Sequence, residues 1–123
     1  MVVSVGSDKV FKVLPAAEYR LQQFGLMSEK VFQVRLEQLA RSLGWSIYHT
    51  HDSRRSQPGY PDLHLWHPRH GSLFRELKTM KGRQSVAQLE VEKSMRAAGL
   101  DVGVWRPSDL DGLILEELRG NKG

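Results

Sequence analysis

Pro61-Asp62-Leu63-His64-Leu65-Trp66 and, a few residues later, Leu73-Phe74-Arg75-Glu76-Leu77-Lys78 are the stretches that decide how this chain is read. Asp62–Trp66 and Leu73–Lys78 are predicted strands, short runs in which apolar and polar residues alternate. Between them lies His67-Pro68-Arg69-His70-Gly71-Ser72, with proline early and glycine late, the chemistry of a reversing loop. The pair is therefore expected to form a hairpin. Alternation along a strand puts Glu76 and Lys78 on one side. Folding back brings Asp62 to the same segment. Two carboxylates and one ammonium then share a patch, which suits a divalent cation with a water or a phosphate beside it.

The competing reading is a solvated face of an antiparallel sheet, which commonly carries Asp, Glu and Lys. The neighbours argue against it. Phe74 shares a face with Glu76 and Lys78, and the opposite face carries Leu73 and Leu77 with Arg75 between them. A strand apolar on both faces that still holds charge puts that charge where it costs free energy, unless it is paired or binds a metal.

The 123 residues suffice for one domain with one ordinary core. Cysteine is absent, which excludes a disulfide framework, a thiolate metal site and a cysteine nucleophile. The five histidines include no helical His-x₃-His pair, so a histidine zinc site is not expected. No run approaches the roughly 18 apolar residues of a membrane span, and residues 1–6 do not read as a signal peptide. The expected location is cytoplasmic, with no membrane partner. The net charge is +4, modest for a nucleic-acid binder, so its distribution matters more than its size. One basic, polar loop, residues 49–57 with Arg54 and Arg55, precedes Asp62. A second, residues 78–84 with Lys81 and Arg83, follows Glu76. Phosphate binding and simple solvation both account for such loops.

Outward from the hairpin, Ser28 is predicted to cap a helix through Leu43, stopped by Gly44, with an apolar stripe of Phe32, Leu36, Leu39 and Leu43. Trp45–His49 reads as a strand. Ser85 and Gln88 have capping-box spacing and open a helix to about Ala98, with Gly99 as its stop. Val102–Trp105 reads as a strand, and Ser108 as the cap of a last helix carrying Leu110, Leu113, Ile114 and Leu118. A hairpin followed by a helical crossover implies a mixed sheet with helices packed on it. Residues 1–27 fit this order poorly and are expected to be an N-terminal extension, with a short helix from Pro15 to Gln23 packing through Tyr19 and Leu21. Residues 28–119 form the expected domain, and 120–123 a tail.

This order, with Pro61-Asp62 on one strand and Glu76-x-Lys78 on the next, resembles the PD-(D/E)xK nuclease superfamily. The closer likeness is to its VRR-NUC family of virus-type replication-repair nucleases, in the stand-alone form found in phages and prophages. The likeness rests on Glu29 and Gln33, on Ser53-Arg54-Arg55 with Pro58-Gly59-Tyr60-Pro61-Asp62, on Phe74-Arg75-Glu76-Leu77-Lys78-Thr79, on Gly82-Arg83, Ser85 and Gln88, and on Ala97-Ala98-Gly99-Leu100. It runs from about Ser28 to Pro107. The resemblance implies an α/β fold, a restriction-endonuclease-like αβββαβ core with a mixed α+β sheet and flanking helices. It implies metal-binding carboxylates at Asp62 and Glu76, the motif lysine at Lys78, a helix-borne acid at Glu29, the family's glutamine at Gln88, and the main-chain carbonyl of Leu77 as a further ligand.

Phosphodiester hydrolysis would then use Mg²⁺ or Mn²⁺, which oxygen ligands favour over zinc. Beside two carboxylates, Lys78 is better suited to orienting a water and offsetting charge than to acting as a base. Capping alone also explains Gln88, and the helix dipole alone explains Glu29. DNA is the expected partner, with Arg54, Arg55, Lys81 and Arg83 on its backbone. The stand-alone proteins that the chain resembles imply a homodimer acting on branched DNA in the manner of Holliday junction resolvases, in a bacterial or phage-infected cell. Trp66 and Trp105 are candidates for that interface. A non-catalytic DNA-binding module that kept the fold is the alternative function.

Overall fold

The computed structural model describes residues 15–50 and 57–121, and the strand backbone of residues 2–5 and 9–12. Its centre is a four-stranded sheet of β3 (Ser46–His49), β4 (Leu63–His67), β5 (Gly71–Leu77) and β6 (Val102–Trp105), adjacent in that order. β3, β4 and β5 run antiparallel, and β6 joins β5 in parallel through the helix between them. This is the mixed α+β sheet that the element order implied. β1 (Val2–Val5) and β2 (Lys9–Lys12) form a separate antiparallel pair that the sequence reading did not include.

The hairpin is tighter than expected. His67 already pairs with Gly71, so the reversal takes only residues 68–70. Gly71 makes this possible. Its φ of +83° supplies the left-handed residue that closes a short hairpin loop.

α1 (Ala16–Leu26) and α2 (Glu29–Ser42) lie against one face of the sheet with α4 (Leu113–Leu118). The Ser28 hydroxyl accepts from the Val31 amide at 3.2 Å and caps α2, as its sequence predicts. The fully buried stripe of α2 is Phe32, Leu36 and Ala40, with Leu39 and Leu43 at its margin. A strict four-residue spacing wins the centre because the small Ala40 lets the helix approach the sheet closely. These side chains meet Leu63, Leu65, Leu73, Leu77 and Trp105 from the sheet and Ile114 and Leu118 from α4. Each such burial contributes about 1.5–3 kcal/mol.

Two expectations need correction. The segment from Pro15 forms the longer α1, but Tyr19 and Leu21 point to solvent, and Phe24 and Met27 enter the core instead. The last helix is broken in two. Residues Pro107–Asp111 make a 3₁₀ turn whose Asp109 carboxylate, not Ser108, accepts from the Arg106 amide at 2.8 Å, and α4 restarts after Gly112. Proline starts the turn, and Gly112, with φ −138° and ψ −94°, interrupts it. Among the described residues no helix is long and apolar enough to cross a membrane.

α3 (Val86–Ala97) buries no side chain and packs near β6, on the sheet face opposite the core. It is also locked to the loop that leads into β4. Gly59 has φ +86°, and a Cβ there would lie 2.3 Å from the Ala87 carbonyl oxygen. No side chain fits between loop and helix. We therefore expect Gly59→Ala to lower stability by about 2–4 kcal/mol in urea unfolding, combining a left-handed conformation with a backbone clash. A loss below about 0.5 kcal/mol would show that the loop does not rest on the helix.

Candidate active site

β4 and β5 bring three of the sequence-predicted residues together. Leu63 pairs with Arg75, so Asp62, one residue before β4, stands opposite Glu76. Its position is fixed from both sides. The Asp62 carbonyl accepts from the Thr50 amide at 2.9 Å, and its Oδ2 accepts from the Leu77 amide at 2.8 Å. The second bond ties the Asp62 side chain to β5 between Glu76 and Lys78. β5 in turn is held by β6, since the Lys78 amide donates to the Trp105 carbonyl at 3.1 Å.

Glu76 is 5% exposed. Lys78 Nζ lies 3.7 Å from Glu76 Oε1, and the Gln88 side-chain amide donates to the same oxygen. The amide of Gln88 cannot swing freely. Its Oε1 accepts from the Ser85 amide at 2.7 Å while the Ser85 hydroxyl accepts from the Gln88 amide at 3.1 Å. Gln88 thus closes the capping box of α3 and holds Glu76 with one side chain. Sequence spacing identified the cap, but the bond to Glu76 depends on how α3 sits over β5.

Burial, then the charge of Asp62, raises the Glu76 pKa from 4.5 to about 7; Lys78 opposes this, and a hydrogen bond with Asp62 and the charge of Glu29 add to it. Glu29 is exposed in the first turn of α2, close enough to be felt by Glu76. Among the described residues no three of His, Asp and Glu are grouped to hold a metal ion. The close carboxylates are the pair Asp62 and Glu76. His64 is on the same sheet face, and burial lowers its pKa.

The segment after Lys78 is pinned as well. Arg106 Nη1 donates to the Thr79 carbonyl at 2.6 Å and the Gly82 carbonyl at 2.7 Å. Lys81 and Arg83 are exposed on this anchored loop. Arg106 was not singled out in the sequence, where a lone arginine before proline carries no signal. Arg54 and Arg55 lie outside the described residues. Trp105 is fully buried in its own core and cannot serve an interface; Trp66 is exposed.

No protein-family model and no curated protein matches the chain. A solved structure described as a VRR_NUC domain matches with 27% identity and a TM-score of 0.60, covering 70% of this chain and 92% of that one.

The raised Glu76 pKa gives a stability difference with a definite sign. The folded state holds a proton that the unfolded state releases above about pH 4.5. The contribution is present below that pH and is lost as pH rises through about 7. Relative to wild type, Glu76→Gln should therefore gain stability as pH rises from about 4.5 to 7.5, by roughly 3 kcal/mol, measured by urea unfolding in EDTA. Parallel curves for the two proteins would contradict a shared proton at this site.

Proposed function

We propose, from its likeness to a VRR_NUC domain, that this chain is a divalent-metal-dependent deoxyribonuclease that hydrolyses phosphodiester bonds within DNA. The observation that carries the reading is that strand register sets Asp62 opposite Glu76 on one sheet face, with Asp62 held by the Leu77 amide and Lys78 3.7 Å from Glu76. The donor set fits Mg²⁺ or Mn²⁺. It consists of oxygens alone, and a cation would offset the burial and the facing Asp62 charge that together raise the Glu76 pKa. Asp62, Glu76 and the Leu77 carbonyl would hold the ion, with Glu29 on α2 adding negative charge at longer range. When bound, the ion supplies charge neutralisation and polarisation of the phosphate.

The chain's own residues do the rest. Gln88 fixes the Glu76 carboxylate. The Lys78 ammonium, 3.7 Å from Glu76, orients the attacking water and offsets charge that develops on the phosphate. Lys81 and Arg83, with Arg54 and Arg55, contact the DNA backbone. A homodimer presents two such sites to the strands of a branched substrate, with a preference for four-way junctions over linear duplex.

The test separates metal binding from chemistry. Plasmid nicking should require Mg²⁺ or Mn²⁺ and vanish in EDTA. Asp62→Asn, Glu76→Gln and Lys78→Ala should each lower the rate at least about 100-fold with circular dichroism unchanged. Calorimetric titration with Mn²⁺ should show binding lost in the carboxylate variants and kept in Lys78→Ala. Cleavage that persists in EDTA, or full activity of Lys78→Ala, refutes the assignment.

Changing Arg54 and Arg55 together to alanine should weaken DNA binding for all sequences and reduce the slope of log affinity against log salt by about two. An unaltered slope removes these residues from the interface.

A further inference from the structure

The sheet face that carries Asp62 and Glu76 continues as an aromatic surface. Strand register orders it in rows. Asp62 and Glu76 form one row. The next row, two residues along each strand, is Tyr48, His64 and Phe74, which are successive cross-strand partners. The row after that carries Trp66, paired with Ser46 and Ser72. Rows on one face are about 6.5–7 Å apart.

His64, Phe74, Trp66 and Tyr60 form a connected layer, with Tyr48 beside His64 by register. His64 stacks on Phe74 with centroids 4.3 Å apart and planes 5° from parallel, and Trp66 lies 5.0 Å from His64. Tyr60, on the loop into β4, meets Phe74 edge-on at 6.5 Å. The other described residues leave much of the layer open. Tyr48 is 61% exposed, Trp66 44% and Tyr60 42%. On the opposite face of the same strands Leu63, Leu65, Leu73 and Leu77 are buried in the core with α1, α2 and α4, whereas among the described residues this face stays open.

We infer that the Tyr48–His64–Trp66 face is a stacking surface for unpaired bases of the DNA strand whose phosphate lies at Asp62 and Glu76. The inference rests on the nuclease reading and names a substrate feature for it. Three observations select this occupant. The aromatic row directly adjoins the acidic row, so a polynucleotide that reaches the carboxylates lies over it or leaves in the opposite direction, past Lys78. Beyond Asp62 and Glu76 these rows carry no acidic side chain to repel a polyanion. A second copy of the chain docked here would cover the carboxylates one row away and close the site. Planar rings offer every base a π-face irrespective of sequence, which suits loops, flaps and junction branch points better than stacked duplex.

The experiment measures binding in EDTA, so it does not depend on cleavage. Wild type, Trp66→Ala, Trp66→Phe and Tyr48→Ala are titrated with a labelled single-stranded oligonucleotide and with blunt duplex of the same sequence. Their mass is followed by light scattering. Trp66 is exposed and replaceable without opening the core, and Tyr48→Ala probes the face independently. Trp66→Ala and Tyr48→Ala should each weaken single-strand binding roughly tenfold and duplex binding less than twofold, and Trp66→Phe should restore the single-strand affinity. Trp45 and Trp105 are buried, so the single strand should also protect the fluorescence of Trp66 from iodide. Equal affinities in all four proteins, or equal weakening on both substrates, would overturn the inference and leave the metal site standing. So would a change of mass in Trp66→Ala with unchanged affinities, which would assign the face to a second copy. Failure of wild type to bind the single strand would also overturn the inference, while Mg²⁺-dependent plasmid nicking tests the nuclease reading separately.

Discussion

From Arg75 to Leu77 strand β5 is buried on both faces, yet it carries charge on both, and the rest of the molecule is arranged around that constraint. On the core side Arg75 is 4% exposed. Its guanidinium donates to the Asp101 carbonyl at 2.9 Å, to the Asp101 carboxylate at 2.8 Å and to Glu117, and it lies 5.2 Å from the Trp105 ring. An unpaired buried guanidinium would cost several kcal/mol, so these partners are obligatory. They tie α4 and the loop before β6 to the central strand. Arg75 is a structural cation, fully compensated, on the face opposite Asp62 and Glu76.

Glu76, the next residue, is compensated less completely. Gln88 and Lys78 stabilise its charge, but burial and the facing Asp62 work against it, and the balance leaves its pKa near 7. A like charge held this close persists because separate parts of the backbone enforce it. The Leu77 amide holds Asp62, the lock at Gly59 holds the loop before it, and the capping box holds Gln88. The strain is electrostatic and is relieved by a proton or by a cation.

The two faces of the sheet divide the work. One is sealed by α1, α2 and α4 and supplies stability. The other is only partly shielded by α3, which buries none of its own side chains and serves to deliver Gln88. The remaining aromatic surface stays open beside the carboxylates. Stability and access therefore do not compete for the same side chains, and the alternation of β4 and β5 is what separates them.

Much of this was legible in the sequence because it rests on local rules. Serine caps and glycine stops specified α2 and α3, a helical apolar stripe marked α2, and period-two alternation specified β4 and β5. The pairing of Asp62 with Glu76 followed from a hairpin, and a hairpin is a local fold. What the sequence misjudged depends on which of several acceptable partners the packing selects. Ala40 is at the centre of α2, Phe24 and not Tyr19 or Leu21 is in the core, and the last helix breaks at Gly112. The pair β1 and β2 was too short to stand out. Only the tertiary structure decided that Gln88, twelve residues from Glu76 in sequence, caps a helix and holds a carboxylate at once. It alone decided that Arg106 anchors the loop after Lys78 and that Trp105 is buried while Trp66 is not. Capping and alternation are set by neighbours in the chain. Burial and long-range hydrogen bonds are set by which faces meet, and that depends on the whole core assembling.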